Sequence, residues 1–225
     1  MTVTEALSEA VARLAAAKVD GGSTDARKLL RFVLGAENTP PDPERLLTEA
    51  ELDRFRSMVL DLGTGTGCLL LTILAECPDA VGIGTDISQA ALSVAAQNAS
   101  SLQLTDRTTL IESDWFSQVE GSFDLIVSNP PYISAKEMDE LQRDVRDWEP
   151  HEALTPGGDG LDAYRTTSKG LNKHLNGGGT AIFEVGAMQA ADVMDLFVNA
   201  GFKDVKAIKD LNGKDRTIMV RRSGL

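Results

Sequence analysis

An α/β fold on a largely parallel sheet, with helices on both faces and a small helical domain in front, is what this chain predicts. Three observations lead there. From Met58 onward short apolar runs alternate with amphipathic stretches, a glycine-rich turn follows the first run, and a polar corner closes the fourth.

Residues 4–18 place Leu7, Val11, Leu14 and Lys18 on one helical face, with Thr4 as an amino cap. Asp20-Gly-Gly-Ser23 breaks this helix. A second is predicted over 24–34, ended by Gly35, and a third from Thr48 to about Arg56 after the turn Pro40-Pro41-Asp42-Pro43. Three short helices bury little surface by themselves, so residues 1–57 are expected to form a small domain that packs on a neighbour or a partner. Its junction with the next domain is abrupt. The stretch Leu52-Asp-Arg-Phe-Arg-Ser57 runs into the strand Met58-Val-Leu-Asp-Leu62 with no glycine, proline or turn cluster to reverse the chain.

Residues 58–225 supply the second domain. Strands are predicted over 58–62, 80–85, 108–112, 123–128 and 179–185, with a final pair near 203–209 and 215–221. Helices are predicted over 67–76, 88–100, near 136–146, 160–175 and 188–200. Gly177-Gly-Gly179 reads as the turn before a strand, because no helix follows it to make a phosphate loop.

The first strand leads into Gly63-Thr-Gly-Thr-Gly67, where glycines permit a tight turn and close approach of a ligand to the backbone. The spacing is G-x-G-x-G. It lacks the extra residue of dinucleotide-binding turns and the Gly-Lys-Ser/Thr of a P-loop, which argues for a nucleoside ligand without a pyrophosphate. Asp86 ends the second strand about twenty residues on, where a carboxylate accepts both ribose hydroxyl hydrogens; the alternative is a cap for the helix starting at Ser88. Two roles likewise fit Asp61, a partner for a ligand ammonium group or a cap for the glycine turn. The third strand ends at Ser113-Asp114-Trp115-Phe116, so that Asp114 can take an exocyclic amino hydrogen with Trp115 or Phe116 against a purine face.

The fourth strand stops at Asn129-Pro-Pro-Tyr132. Pro130 biases Asn129 toward extended backbone and neither proline has an N–H for a sheet, so the strand ends there and presents Asn129 at its carboxyl end. In open α/β sheets ligands bind at that end, and an amide offers both a donor and an acceptor to a substrate NH₂. Tyr132 supplies a flat wall. The corner suits a planar nitrogen nucleophile; the plain alternative is a strand-ending turn. Glu184, at the end of the fifth strand, either lines the site or serves as a structural charge partner.

The chain carries 34 acidic and 22 basic residues, a formal charge of −12. Gripping a nucleic-acid backbone needs a basic footprint, so the charge speaks against nucleic acid and for a basic protein partner. No run approaches the roughly eighteen apolar residues of a membrane span, and the first twenty lack the basic start and apolar core of a signal peptide, which predicts a cytoplasmic protein. Cys68 and Cys77 sit at opposite ends of one predicted helix, too far apart for a disulfide, and read as packing residues. Only His151 and His174 accompany them, without metal-ligand spacing, so no metal is expected.

The four strand ends together resemble the class I S-adenosylmethionine-dependent methyltransferases, whose Rossmann-like sheet would then be the fold here, and Asn129-Pro-Pro-Tyr132 narrows the resemblance to amino-group methylators. That corner is shared by DNA adenine-N6 methyltransferases and by the glutamine-N5 methyltransferases of peptide chain release factors. Val145-Arg-Asp-Trp-Glu-Pro-His-Glu-Ala-Leu154, Gly157-Gly-Asp-Gly-Leu-Asp-Ala-Tyr164, Phe183-Glu-Val-Gly186 and Asp210-Leu-Asn-Gly-Lys-Asp-Arg216 resemble the second family, in its order. The resemblance implies methylation of the glutamine of a Gly-Gly-Gln motif in release factors, with adenine methylation as the alternative. It implies S-adenosylmethionine as cofactor, held by Asp61, Gly63, Gly65, Gly67, Asp86 with Ile87, Asp114, Trp115 and Asn129. Asn129, Pro130 and Tyr132 would be catalytic, and with Pro131 they would bind the substrate amide. The helical residues 1–57 would help receive the release factor. Family members also place a longer connection, with a β-hairpin and a proline-rich segment, where this chain has the abrupt junction. Either this chain has lost it or those residues are absent from the sequence as numbered.

Overall fold

The computed structural model describes residues 58–78, 80–138, 155 and 157–224. The three amino-terminal helices, the junction before Met58 and the predicted helix beyond Met138 lie outside them. The chain divides into two compact units, and among the described residues the first holds 58–119 and 123–127, the second 120–122 and 128–224.

The first unit is a parallel arrangement. Strands β1 (Met58–Leu62), β2 (Val81–Asp86), β3 (Thr108–Glu112) and β4 (Phe123–Ser128, its last residue in the second unit) lie in the order β3-β2-β1-β4. β1 and β2 pair parallel from Met58↔Val81 to Leu62↔Thr85, and β2 and β3 from Gly82↔Thr108 to Asp86↔Glu112. Val59, Leu60 and Leu62 have no exposed surface, the near-continuous burial of a parallel strand covered on both faces. Helix α1 (Cys68–Glu76) is buried from Leu69 through Leu74, on every side, because its sequence is apolar all round. It lies close to β2. A β-carbon on Gly82 would stand 2.4 Å from Leu70 Cδ1, so glycine there lets helix and sheet approach.

Pro78 follows the α1 C-cap, Cys77, and the guanidinium of Arg107 closes the helix end. It donates to the carbonyls of Leu74 (2.8 Å), Cys77 (3.0 Å) and Ala80 (2.9 Å) from the 3₁₀ turn Thr105–Arg107. Burial pushes the Cys77 thiol up to about 12, with Glu76 adding to the shift, so this cysteine stays protonated and packs. Helix α2 (Gln89–Ser101) starts at Ser88, whose hydroxyl accepts the Ala91 amide at 3.2 Å, and buries Leu92, Ala95, Asn98 and Ala99.

The second unit departs from the expectation of a largely parallel sheet. Here β5 (Leu175–Glu184), β7 (Asp215–Arg221) and β6 (Asp204–Lys209) lie in the order β5-β7-β6, and both pairings are antiparallel. The short turn 210–214 permits this, since a parallel return needs a crossover of a dozen or more residues. Gly177–Gly179 also correct the sequence reading. They lie inside β5 because Gly178 donates to the Arg222 carbonyl (2.9 Å) and Arg222 donates back to Gly179 (3.1 Å), which extends the strand. Helices α3 (Ala135–Met138), α4 (Asp162–His174) and α5 (Ala190–Asn199) complete the unit. Its core packs Tyr164 edge-on to Phe183, with Phe183 against Phe197 at a centroid distance of 4.8 Å.

Arg107→Ala removes the group that satisfies three carbonyls between the end of α1 and the start of β2. We expect a loss of about 2 kcal/mol, seen as a lower urea midpoint by circular dichroism; a midpoint within error of wild type would mean that water replaces the guanidinium at no cost.

Candidate functional site

In the first unit the glycine turn is held by carboxylates from two strands. Asp86 Oδ2 accepts the Gly65 amide at 2.9 Å, and its Oδ1 accepts the Ser88 amide at 2.9 Å, so one side chain ties the turn after β1 to the start of α2. Each oxygen keeps a second lone pair for a ligand hydroxyl. Asp86 is half-buried, and Ile87 beside it is 58% exposed, an apolar side chain presented to solvent.

Asp61 is 1% exposed at the other side of the turn. Its Oδ2 accepts the Thr64 hydroxyl at 2.7 Å and the Leu70 amide at 3.3 Å, so it does brace the turn. Its Oδ1 is buried with no hydrogen-bond partner among the described residues. Burial raises the carboxyl to about 7; the Thr64 and Leu70 hydrogen bonds pull the other way, and the neighbouring Asp86 charge adds to the rise. A bound cation at Oδ1 would reverse that balance, and a buried acceptor left open is the chemistry that an ammonium group fits.

Gly63, Gly65 and Gly67 all have positive φ (69°, 56° and 83°), the backbone that an L side chain resists. Gly67 is the N-cap of α1, and no side chain caps that end. The turn is fastened further by Asn98, whose amide donates to the Thr66 carbonyl at 2.9 Å, and by Thr64, whose amide donates to Thr85 at 2.8 Å. Beyond β3, Asp114 is exposed and Trp115 adopts φ 49°, strained for a bulky residue. The Ser113 hydroxyl holds that bend by donating to the Trp115 carbonyl (2.9 Å) and accepting the Gln118 amide (3.1 Å). The bend points the indole at the turn: a β-carbon on Gly63 would lie 4.0 Å from Trp115 Cζ3.

The second unit carries the proline corner. Asn129 is exposed and its side chain makes no hydrogen bond among the described residues, whereas Pro130 is buried and Pro131 and Tyr132 are half-buried. Tyr132 is gripped at both ends. Its hydroxyl accepts from Arg216 Nη2 at 2.9 Å and lies 3.5 Å from Glu184 Oε1, while its carbonyl accepts from Gln189 Nε2 at 2.8 Å. Arg216 also pairs with Glu184 at 3.0 Å and stands 5.2 Å from the Tyr132 ring centroid. Glu184 is therefore a charge partner in the corner's support, the structural one of its two readings.

Sequence reasoning gave no role to Gln189, Gly160, Asn98 or Arg216. For Arg216 a signal existed, since antiparallel pairing of the last strand with 179–185 brings it to the end that holds Glu184. For Gln189 none did.

Two family models match the chain: Methyltransferase small domain over residues 42–159 and PrmC N-terminal domain over 5–66, overlapping across the abrupt junction. The chain is 50% identical over 192 residues to the release factor glutamine methyltransferase of Cereibacter sphaeroides, covering 85% of this chain and 69% of that protein. With the release factor glutamine methyltransferase of Agrobacterium fabrum it shares 40% over 202 residues, covering 86% and 70%. Among solved structures, magnesium protoporphyrin IX methyltransferase from Synechocystis PCC 6803 with bound SAM superposes with a TM-score of 0.55 at 15% identity, over 91% of this chain and 85% of that one. That likeness gives the fold, a Rossmann-like methyltransferase sheet. The identity and coverage against the curated relatives give the family: this chain belongs to the release factor glutamine methyltransferases.

Proposed function

We propose that this chain methylates the side-chain amide nitrogen, N5, of the glutamine in the Gly-Gly-Gln motif of peptide chain release factors, using S-adenosylmethionine. The observation that carries the reading is the exposed Asn129 amide, free of partners among the described residues, on a corner held rigid through Tyr132. The relatives' names supply the substrate class. A net charge of −12 suits a basic protein substrate and repels a nucleic-acid backbone, and release factors set the work in the cytoplasm.

S-adenosylmethionine supplies a methyl group made electrophilic by a sulfonium. On the first unit, Asp61 Oδ1 is the acceptor for its ammonium group and Asp86 for its ribose hydroxyls. The positive-φ glycines Gly63, Gly65 and Gly67 leave the methionine portion room. Asp114 takes the exocyclic amino group, with Trp115 and Ile87 against the purine.

A primary amide nitrogen is a weak nucleophile because its lone pair is delocalised into the carbonyl. Rate must therefore come from aiming and desolvating it. Asn129 Oδ1 and the Pro130 carbonyl accept the two amide hydrogens, and the Tyr132 ring packs on the amide plane. As positive charge moves onto the nitrogen these acceptors hold its hydrogens more strongly, which stabilises the transition state without a strong base, and one of the two hydrogens leaves as a proton to water once the methyl is in place. The chain passes from the first unit to the second between Val127 and Ser128, one residue before Asn129. Residues 1–57 form, in this reading, the domain that docks the release factor, and 58–225 the methyltransferase domain.

Incubation with labelled cofactor and, separately, release factor, DNA and free glutamine tests the assignment. We expect label on the Gly-Gly-Gln glutamine by mass spectrometry; transfer to DNA adenine would replace this reading by the other amino-group chemistry. Asn129→Ala is expected to slow single-turnover methylation by about 10²-fold while calorimetry finds cofactor affinity unchanged. Wild-type rates in that variant would reduce the corner to a strand-ending turn.

Asp61 makes cofactor binding depend on pH. Its folded pKa, about 7, lies above the ordinary value, so the group stabilises the ligand-free fold at low pH and that contribution is lost as pH rises through about 7. The ammonium needs the carboxylate, so affinity runs the other way. It should rise about tenfold from pH 5.5 to 7 and fall again above about 8, where the ligand's own amine loses its proton. Titration calorimetry across that range checks this, and Asp61→Asn should bind weakly and lose the rise.

A further inference from the structure

Gln189 precedes α5 and has no titratable or nucleophilic group, yet its amide bridges two stretches of backbone. Nε2 donates to the Tyr132 carbonyl at 2.8 Å, and Oε1 accepts the Gly186 amide at 3.0 Å. Both functions of the amide are in use. Two neighbouring glycines crowd this side chain closely. Gly160 has φ 80°, and a β-carbon on it would stand 2.4 Å from the Tyr132 carbonyl oxygen, 2.7 Å from Gln189 Nε2 and 3.2 Å from the Ser134 amide. A β-carbon on Gly186 would stand 2.6 Å from Gln189 Oε1. Two glycines thus admit the Gln189 side chain to the underside of the corner.

Resting on the function proposed above, we propose that Gln189 is a positioning residue for methyl transfer: by holding the Tyr132 carbonyl it fixes the aim of Asn129 and of the Pro130 carbonyl. The rigidity of the segment transmits the constraint. Pro130 and Pro131 lock two φ angles between Asn129 and Tyr132, so a rotation of the Tyr132 peptide swings the acceptors instead of being absorbed between them. Arg216 and Glu184 hold the ring and its hydroxyl, whereas Gln189 holds the Tyr132 backbone carbonyl. Displacement of reacting groups by about 1 Å can cost about 10²-fold in rate, so loss of one such tie is large on the scale of kcat and small on that of binding.

The test uses the full chain, a release factor and S-adenosylmethionine, with single-turnover rate, KM for the release factor and cofactor affinity measured side by side at pH 7.5. Gln189→Ala is expected to lower kcat by about tenfold or more and to leave KM and cofactor affinity unchanged. Gln189→Glu is the sharper variant, because a carboxylate still accepts the Gly186 amide and loses only the donor to Tyr132. It should behave like Gln189→Ala. Gly160→Ala, whose β-carbon would crowd both the Tyr132 carbonyl and Gln189 Nε2, breaks the same contact from the other side and should show the same fall in kcat alone. Recovery of wild-type kcat by Gln189→Glu would make the tie to Gly186 the one that matters and overturn the proposal, as would a parallel loss of cofactor affinity in all three variants. A wild-type chain that transfers methyl to no release factor overturns the functional reading and this inference with it. Wild-type turnover with an undiminished kcat in Gln189→Ala overturns the inference alone.

Discussion

One carboxylate organises the first unit. Asp86 receives the Gly65 amide on one oxygen and the Ser88 amide on the other, fastening together a turn and a helix start that lie 21 and 2 residues away. Without it the glycine turn would keep the φ freedom that glycines give it, and its peptide groups would be unfixed. Thr64 and Asn98 add bonds from the side of β2 and from α2, so the turn is pinned at Thr64, Gly65 and Thr66 in succession. The glycines supply shape and their neighbours supply rigidity.

The second unit solves the same problem with different chemistry. Two prolines stiffen the segment from within, and Gln189, Arg216 and Glu184 hold it from outside. These contacts engage both polar ends of Tyr132, and Arg216 also stands 5.2 Å from its ring centroid, so the hydroxyl is committed to support. Asn129, by contrast, makes no side-chain hydrogen bond among the described residues. In the role proposed for Asn129, an acceptor that exchanges solvent for substrate at every turnover is better placed beside rigid neighbours than tied to them.

Much of this was legible in the sequence, and the reason is local chemistry. β1, β3 and β4 run over the residues that the apolar runs mark, because glycines, prolines and polar ends punctuate them. The candidate residues Asp61, Asp86, Asp114 and Asn129 lie at or beside the ends of β1 to β4, where the apolar runs put them. What could not be read was anything set by pairing across long stretches of chain. Gln189 reaches Tyr132 over 57 residues and Arg216 reaches it over 84. The role of Gly177–Gly179 was missed for a similar cause, since only pairing with Arg222 turns a glycine tract into strand. Neither the Asp61 oxygen left without a partner among the described residues nor the left-handed backbone of Trp115 has a signature in residue type.

Trp115 carries a further implication for anyone who would engineer this enzyme. A left-handed backbone at a bulky residue costs about 1–3 kcal/mol in every folded molecule, whether or not a ligand is present. Glycine or asparagine would relieve that strain and remove the indole beside Gly63 in the same step. On the role proposed above for Trp115, a library sorted on heat resistance alone would therefore enrich replacements at this position and return sturdier proteins with a poorer grip on the nucleoside. Selection at position 115 has to be made with the ligand in the tube.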